Sequence, residues 1–141
     1  WDHIKLFTTN FLGCQQCGQR YNIVLPQEVR RTIDDNAARL LEAHGKIAVW
    51  GINYHTSDLF KHSSILRGPN VYPVDISGTK RMMDLYGKRI LDPEVIQAEG
   101  IVCVVIAIPV YFSQIDGVIR LKYPGVSHIY DICALTEPLK I

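Results

Sequence analysis

Three features are missing from this sequence of 141 residues: a long hydrophobic run, an excess of one charge and a secretion signal. The longest apolar run, residues 101–110, is far shorter than the roughly 18–20 residues of a membrane helix, so we expect no membrane-spanning segment and no membrane partner. Lys and Arg number 15 and Asp and Glu 14, which argues against a nucleic-acid-binding surface. Because the chain begins with Trp1 and has no signal-peptide pattern, we expect a piece of a longer, cytoplasmic protein.

Cysteine is also scarce, with four residues in the chain. Cys14 and Cys17 form a C-x-x-C pair, but a closed zinc site needs four ligands and no second pair completes it. This pair has three interpretations: a zinc site, a redox dithiol and two free thiols, of which the third is favoured. A zinc site would be completed by His3, which is nearby in sequence, or by His55, His62 or Cys133, brought close by the fold. Cys103 lies in an apolar run and Cys133 follows a predicted strand, so in the reduced cytoplasm we expect no structural disulfide.

The hydrophobic fraction of 48% is sufficient for one domain with its own core. Residues 1–25 scatter Gly, Asn and Gln among apolar residues, so we expect an irregular extension there and a single domain over residues 26–141. That domain opens with an amphipathic helix between Pro26 and the stop signal Gly45. Its apolar face is predicted to contain Val29, Ile33, Ala37, Leu40, Leu41 and His44.

Apolar and helical segments then alternate. Strands are predicted at residues 46–50, 70–75, 101–108 and 127–132, with a brief extended piece at 89–91. Pro73 interrupts the second strand and indicates an edge position, whereas the third strand is apolar throughout, which is typical of burial on both faces. Helices are predicted from Thr56 or Ser57 and, briefly, after Pro93.

A last helix is predicted to direct Phe112, Ile115, Val118 and Ile119 inwards. Strands that alternate with helices at this spacing form parallel β-α-β units with right-handed crossovers. We therefore predict an α/β fold, namely a Rossmann-like, doubly wound, mostly parallel sheet of about five strands with helices on both faces.

The turn after the first strand is the candidate ligand site. In "KIAVWGINYHTSDLF", residues 46–60, Gly51 follows the strand, at the edge where doubly wound sheets bind ligands and the next helix attracts anions. Asp75 ends the second strand 24 positions later, close to the usual spacing of an acid that holds a ribose hydroxyl. Asn53 and Thr56 replace the second and third glycines of G-x-G-x-x-G. A site for a nucleotide or similar anion and a structural turn with a capped helix both remain interpretations.

Further candidates follow the strand ends. His55 is a candidate for phosphate binding or base catalysis, or else a helix cap or surface residue. Tyr111 is a candidate for stacking on a base or sugar, or else a cover for the sheet end. Lys80 and Arg81 would meet phosphates, or else lie in solvent, and Asp131 is predicted at the same edge.

Three segments resemble a known family: "KIAVWGINYHTSDLF", "VYPVDISGTKRMMDLYGKRILDPEVI" and "VCVVIAIPVYFSQIDGVIR". Together, over residues 28–133, they are similar to the C-terminal Rossmann-like domain of sugar C-methyltransferases and related sugar-modifying enzymes. The matching positions are Gly51 to Thr56, Asp75, Gly78 to Lys80, Gly87 to Pro93 and Ile101 to Phe112. The resemblance implies a domain that helps to hold a sugar nucleotide or to complete an active site, with the methyl donor bound in a separate methyltransferase domain.

Three functional hypotheses follow. The first is a module that binds a nucleotide or nucleotide sugar and is part of, or partner to, a sugar-modifying methyltransferase. Its ligand-binding residues would be Gly51, Asn53, His55, Thr56, Asp75, Lys80 and Tyr111. The second is a stand-alone small transferase or oxidoreductase, with His55 and Tyr111 as catalytic candidates. The third is an interaction or structural domain without a ligand.

Overall fold

Residues 25–140, the part of the chain that the computed structural model describes, alternate helices and strands. The helices are α1 Gln27–His44, α2 Tyr54–His62, α3 Gly78–Arg81, α4 Val95–Ala98 and α5 Phe112–Lys122. The strands are β1 Ile47–Trp50, β2 Val71–Val74, β3 Asp84–Leu85, β4 Lys88–Arg89, β5 Cys103–Ile106 and β6 His128–Asp131. Short 3₁₀ turns cover Pro109–Tyr111 and Ile132–Thr136. Apart from Leu25, the extension predicted for residues 1–25 lies outside the described residues.

Four strands form one parallel sheet in the order β2-β1-β5-β6. In its centre, Val49 of β1 pairs with Pro73 on one side and with Val105 on the other. The predicted Rossmann-like α/β fold is thus confirmed, with four parallel strands rather than about five. The extended piece predicted at 89–91 contributes instead to an antiparallel hairpin of β3 and β4, and Leu91 makes an isolated bridge to β2.

The side chains of β1 alternate between two cores on opposite faces of the sheet. Ile47 and Val49 pack in the core formed with α1 and α2, whereas Ala48 and Trp50 pack in the core formed with α4 and α5. The chain crosses from β1 to β2 in one direction and from β5 to β6 in the other, so right-handed crossovers place α2 and α5 on opposite faces. Every residue of β5 is buried, as predicted for a strand covered on both faces.

Pro73 lies in the edge strand β2, as predicted for a proline, which has no N–H group to donate. The outer side of this strand is partly covered by Leu91, whose N–H donates to the Pro73 carbonyl at 2.8 Å and whose carbonyl accepts from Asp75 N–H at 3.1 Å. The N–H and carbonyl of one residue point to the same side of a strand. The backbone nitrogen of Pro73, which carries no hydrogen, therefore lies on the outer side of β2. The hydrogen bonds between β2 and β1 do not need a donor from Pro73, and the pairing of the two strands is not interrupted.

Helix α1 has the predicted apolar face and one buried polar residue that the sequence analysis missed. Val29, Ile33, Ala37 and Leu40 are buried, and Leu41 and His44 are half-buried. Among them lies the buried amide of Asn36, which donates to the carbonyls of Leu135 at 2.7 Å and Glu137 at 2.8 Å. It also accepts from Leu139 N–H at 3.2 Å, so this one side chain fastens the C-terminal segment to α1.

The prediction that α2 begins at Thr56 or Ser57 is wrong by one short turn. The helix begins at Tyr54, because Asn53 has an extended backbone and its side-chain oxygen accepts the N–H of Thr56 at 2.9 Å. Asn53 is therefore the N-cap, a position that this residue type strongly favours.

Helix α5 differs from its prediction at Val118, which is exposed rather than inward-facing. Ile119 is buried, and Phe112 and Ile115 pack against the same core. These three residues are spaced by three and four positions and share one helix face, whereas Val118 is rotated away from it by about 100°.

The β3–β4 hairpin is absent from the predicted elements. Each of its strands has two residues, and its turn is formed by Tyr86 and Gly87 with φ angles of 49° and 89°. A two-residue turn with two positive φ angles normally contains Asn-Gly or Asp-Gly, so the sequence Tyr-Gly does not indicate a hairpin turn. The Asp84 carboxylate supports the turn by accepting from Gly87 N–H at 3.2 Å.

No helix among residues 25–140 combines the length and the apolar content needed to cross a membrane. The two cysteines in this range, Cys103 and Cys133, are both buried and form no disulfide. Burial raises the pKa of the Cys103 thiol to about 12, so this side chain behaves as a small apolar core residue, as predicted.

Candidate functional site at the carboxyl edge of the sheet

The candidate site lies where β1 and β5 end side by side. The sheet order changes direction between these two strands, since the chain reaches β2 on one side of β1 and β6 on the far side of β5. The loops that follow β1, β2 and β5 meet at this edge. In open α/β sheets such a switch point is the usual place for a ligand.

Gly51 turns the chain directly after β1. Its φ is +99°, and its N–H donates to the Val74 carbonyl at 2.9 Å. A Cβ atom at this position would lie 2.5 Å from Cδ1 of Ile108 and closer still to Cγ1. Glycine is therefore required here both by the backbone conformation and by the approach of Ile108 from the loop after β5.

Asn53 and Thr56 hold the next part of the turn together. The Thr56 hydroxyl lies 3.1 Å from the Gly51 carbonyl and 3.0 Å from the Asn53 side-chain oxygen. The Asn53 amide nitrogen donates across the switch point to the Ala107 carbonyl at 3.3 Å. The loops after β1 and β5 are thus joined both by this hydrogen bond and by the packing of Ile108 on Gly51.

Asp75 connects the loop after β2 to the same turn. Its carboxylate is 5% exposed and accepts from the N–H of Ile52 at 2.9 Å and from the N–H of Ser77 at 2.8 Å. The Lys80 ammonium lies 3.5 Å from the carboxylate and is itself partly exposed. Asp75 therefore lies beside the Gly51 turn, as expected from the sequence. Its carboxylate contacts two backbone N–H donors and one cation.

His55 is neither the helix cap nor a surface residue. It is 4% exposed, and the structure buries it in the first turn of α2. Burial lowers its pKa, against the smaller opposite effect of Asp58, so the imidazole is neutral near neutral pH. A neutral, buried imidazole offers no positive charge to a phosphate.

The remaining candidates lie further out. Tyr111 ends the 3₁₀ turn after β5 and is 46% exposed. The Arg81 guanidinium pairs with the Asp92 carboxylate at 3.0 Å, so this basic residue is not simply solvated. The Asp131 carboxylate accepts from Cys133 N–H at 2.9 Å and caps the following 3₁₀ turn.

The structure thus brings six of the seven ligand-binding candidates into or beside one group of loops around the β1 turn, with Tyr111 at its outer side. Sequence reasoning missed the partners that complete the group, namely Ile52, Ser77, Ala107 and Ile108. None of the four carried a sequence signal, because they act through a backbone atom or through a packing contact that is distant in sequence.

The metal hypothesis concerns Cys14 and Cys17, which lie outside the described residues. Within residues 25–140, no group of three or more His, Cys, Asp or Glu side chains is arranged to hold a metal ion. Zinc therefore has no support from the described side chains.

No protein-family model matches this sequence, and neither curated proteins nor solved structures give a match. The class of the molecule accordingly rests on its fold, a Rossmann-like α/β domain with a four-stranded parallel sheet.

Proposed function

We propose that this domain binds a nucleotide or nucleotide sugar at the carboxyl edge of its sheet, as a module of a sugar-modifying methyltransferase or related transferase. The observation that carries the proposal is the contact of the buried Asp75 carboxylate with the N–H of Ile52, 2.9 Å apart. It joins the ends of β2 and β1 beside the first turn of α2, in the place where this fold class binds nucleotides.

Charge supports the proposal. The Asp75 carboxylate accepts two N–H groups and is paired with the Lys80 cation, so a ligand at this edge does not face an open carboxylate. The Lys80 ammonium remains partly exposed and offers donors to a phosphate, and the N-terminal end of the nine-residue helix α2 adds a favourable potential.

The test is a thermal-shift and calorimetric panel of nucleoside diphosphates, sugar nucleotides, NAD(P) and S-adenosylmethionine. A ligand at 100 times its Kd stabilises the folded state by about 2.7 kcal/mol, which raises Tm by several degrees. Lys80→Met is expected to weaken binding, since it removes a partly exposed cation from the edge.

Lys122→Met is the matched control, because Lys122 is exposed at the C-terminal end of α5. This helix connects the parallel strands β5 and β6 and so ends near the edge opposite the carboxyl edge. Asp75 is a poor first choice for substitution, since its loss would open the turn itself. Absence of a shift with every nucleotide, or an equal effect of the two Lys→Met variants, would contradict the proposal.

A second candidate function, an interaction domain without a small ligand, is favoured by the exposed apolar side chains near the same edge. Ile76, Met82, Met83 and Val110 are all exposed and lie in loops that follow β2 or β5. Exposed apolar groups on neighbouring loops are typical of a docking surface. A panel without any ligand response, together with a loss of partner binding on Met82→Glu, is the result expected from this function.

A further inference from the structure

Two exposed tyrosines flank the switch point. Tyr54 is the first residue of α2, after β1, and Tyr111 closes the 3₁₀ turn after β5. They are 68% and 46% exposed, whereas Trp50, Phe60 and Tyr123 are buried. Both rings stand on loops at the ligand edge of the sheet, where an exposed aromatic face is available for stacking.

The tyrosines stand on loops that are fixed to each other. Tyr54 directly follows Asn53, whose amide donates to the Ala107 carbonyl at 3.3 Å. Tyr111 follows Ile108 by three residues, and Ile108 packs against the Cα atom of Gly51. The two rings are therefore carried by one rigid unit, and little ordering of the backbone would be needed for both to contact one ligand.

The space between the loops after β1 and β5 is filled by protein side chains. Ile108 fills the space beside Gly51, and Asn53 stands where the second glycine of the dinucleotide-binding turn lets a pyrophosphate approach the backbone. A ligand at this edge must therefore lie over the rim and not between the loops. The groups exposed over the rim include aromatic rings near β1 and β5 and, near β2, the partly exposed Lys80 ammonium, beside the apolar side chains described above.

We propose that Tyr54 and Tyr111 bind the base of the nucleotide by stacking, with its phosphates directed along the rim towards Lys80. The inference rests on the proposed function and names which part of the ligand is held where. Lys80 follows β2, Tyr54 follows β1 and Tyr111 follows β5, and these three strands are adjacent in that order. The loops after β2 and β5 are therefore two strand spacings apart, each of about 4.8 Å. Stacking on tyrosine accepts any base, because every base has a π face.

The experiment measures Kd by isothermal titration calorimetry on the full chain, with ADP and UDP as base-containing probes and pyrophosphate and glucose 1-phosphate as base-free probes. We expect ADP and UDP to bind, and ADP more tightly because a purine has the larger stacking surface. Tyr54→Leu and Tyr111→Leu are each expected to weaken ADP binding by about 5- to 100-fold. Tyr54→Phe and Tyr111→Phe should retain it, since the ring and not the hydroxyl makes the contact.

Tyr86→Leu is the matched control, because Tyr86 is as exposed as Tyr111 but lies at the turn of the β3–β4 hairpin. Far-UV circular dichroism and Tm of each variant show that the fold is intact, and both tyrosines are exposed enough for this to be expected. ADP binding that is unchanged in both Leu variants overturns the stacking inference and leaves the proposed function standing.

The base-free probes separate the remaining outcomes. Pyrophosphate that binds as tightly as ADP overturns stacking in favour of phosphate recognition. Glucose 1-phosphate that binds, and loses affinity in the Leu variants, assigns the rings to the sugar and also overturns the inference. Failure of ADP, UDP and every sugar nucleotide to bind overturns the proposed function, and the stacking site with it.

Discussion

Substitution of Gly51 by Ala tests whether this glycine serves the packing of the two loops. A φ of +99° costs an alanine about 1–2 kcal/mol, since the left-handed region is strained for residues with a Cβ atom. The overlap of that Cβ with Ile108, at 2.5 Å or less, adds the cost of overpacking, about 1–3 kcal/mol. We therefore expect Gly51→Ala to lower the free energy of unfolding by about 2–5 kcal/mol, measured by urea unfolding with circular dichroism.

Gly45→Ala is the matched control. Gly45 has a similar φ of +81°, but a Cβ atom there would have nothing within 4 Å, so only the conformational cost of about 1–2 kcal/mol applies. The double variant Gly51→Ala/Ile108→Ala separates the two costs at Gly51, because it removes the overlap and keeps the strained φ. Equal losses at Gly45 and Gly51, or strict additivity in the double variant, would refute the argument that Ile108 fills the switch point.

Three further predictions follow from single contacts. Asn36→Ala is expected to destabilise the domain by about 2–4 kcal/mol, since it removes three hydrogen bonds to the C-terminal segment, and hydrogen exchange should accelerate there first. The pKa of His44 is lowered by burial and, to a smaller extent, by His128, whose ring centroid lies 4.2 Å away. The stability of the domain is therefore expected to be greatest above the ordinary histidine pKa of about 6.5 and to fall as the pH decreases through it. Urea midpoints measured at each pH should show a smaller fall in His128→Phe. Tyr86→Asn is expected to stabilise the domain by about 0.5 kcal/mol, because Asn tolerates the φ of 49° better, and an unchanged or lowered Tm would contradict this.

Much of the fold was predictable because its signals are local. The buried run of β5, the amphipathic face of α1 and the proline in an edge strand each follow from the residues of one segment. A parallel sheet with helices on both faces then follows from the alternation of these segments and from the right-handed crossover, although about five strands were predicted and four are present. The hairpin at Tyr86 was not predictable, because its strands are short and its turn residue is unusual for positive φ.

The candidate site was predictable in its location and less so in its chemistry. Sequence spacing alone indicated that Asp75 and the Gly51 turn would meet, and their loops are joined through the N–H of Ile52. The burial of His55 was not predictable, because it depends on how the helix is oriented against the sheet. The residue type alone, a histidine in the first turn of a helix, does not indicate that orientation. The contact between Gly51 and Ile108 joins positions far apart in the chain, and no local pattern encodes it.

The same contacts that organise the switch point limit what a ligand gains there. The Asp75 carboxylate already accepts two backbone N–H groups, the Asn53 side chain bonds to its own helix and to Ala107, and Ile108 fills the space beside Gly51. Groups that are already satisfied within the protein add little to affinity, because binding would only exchange one partner for another. The rings and the lysine at the rim differ from these groups in being exposed to solvent, wholly or in part. A ligand can therefore contact them without opening the glycine-containing turn, and the binding proposal is tested on these residues.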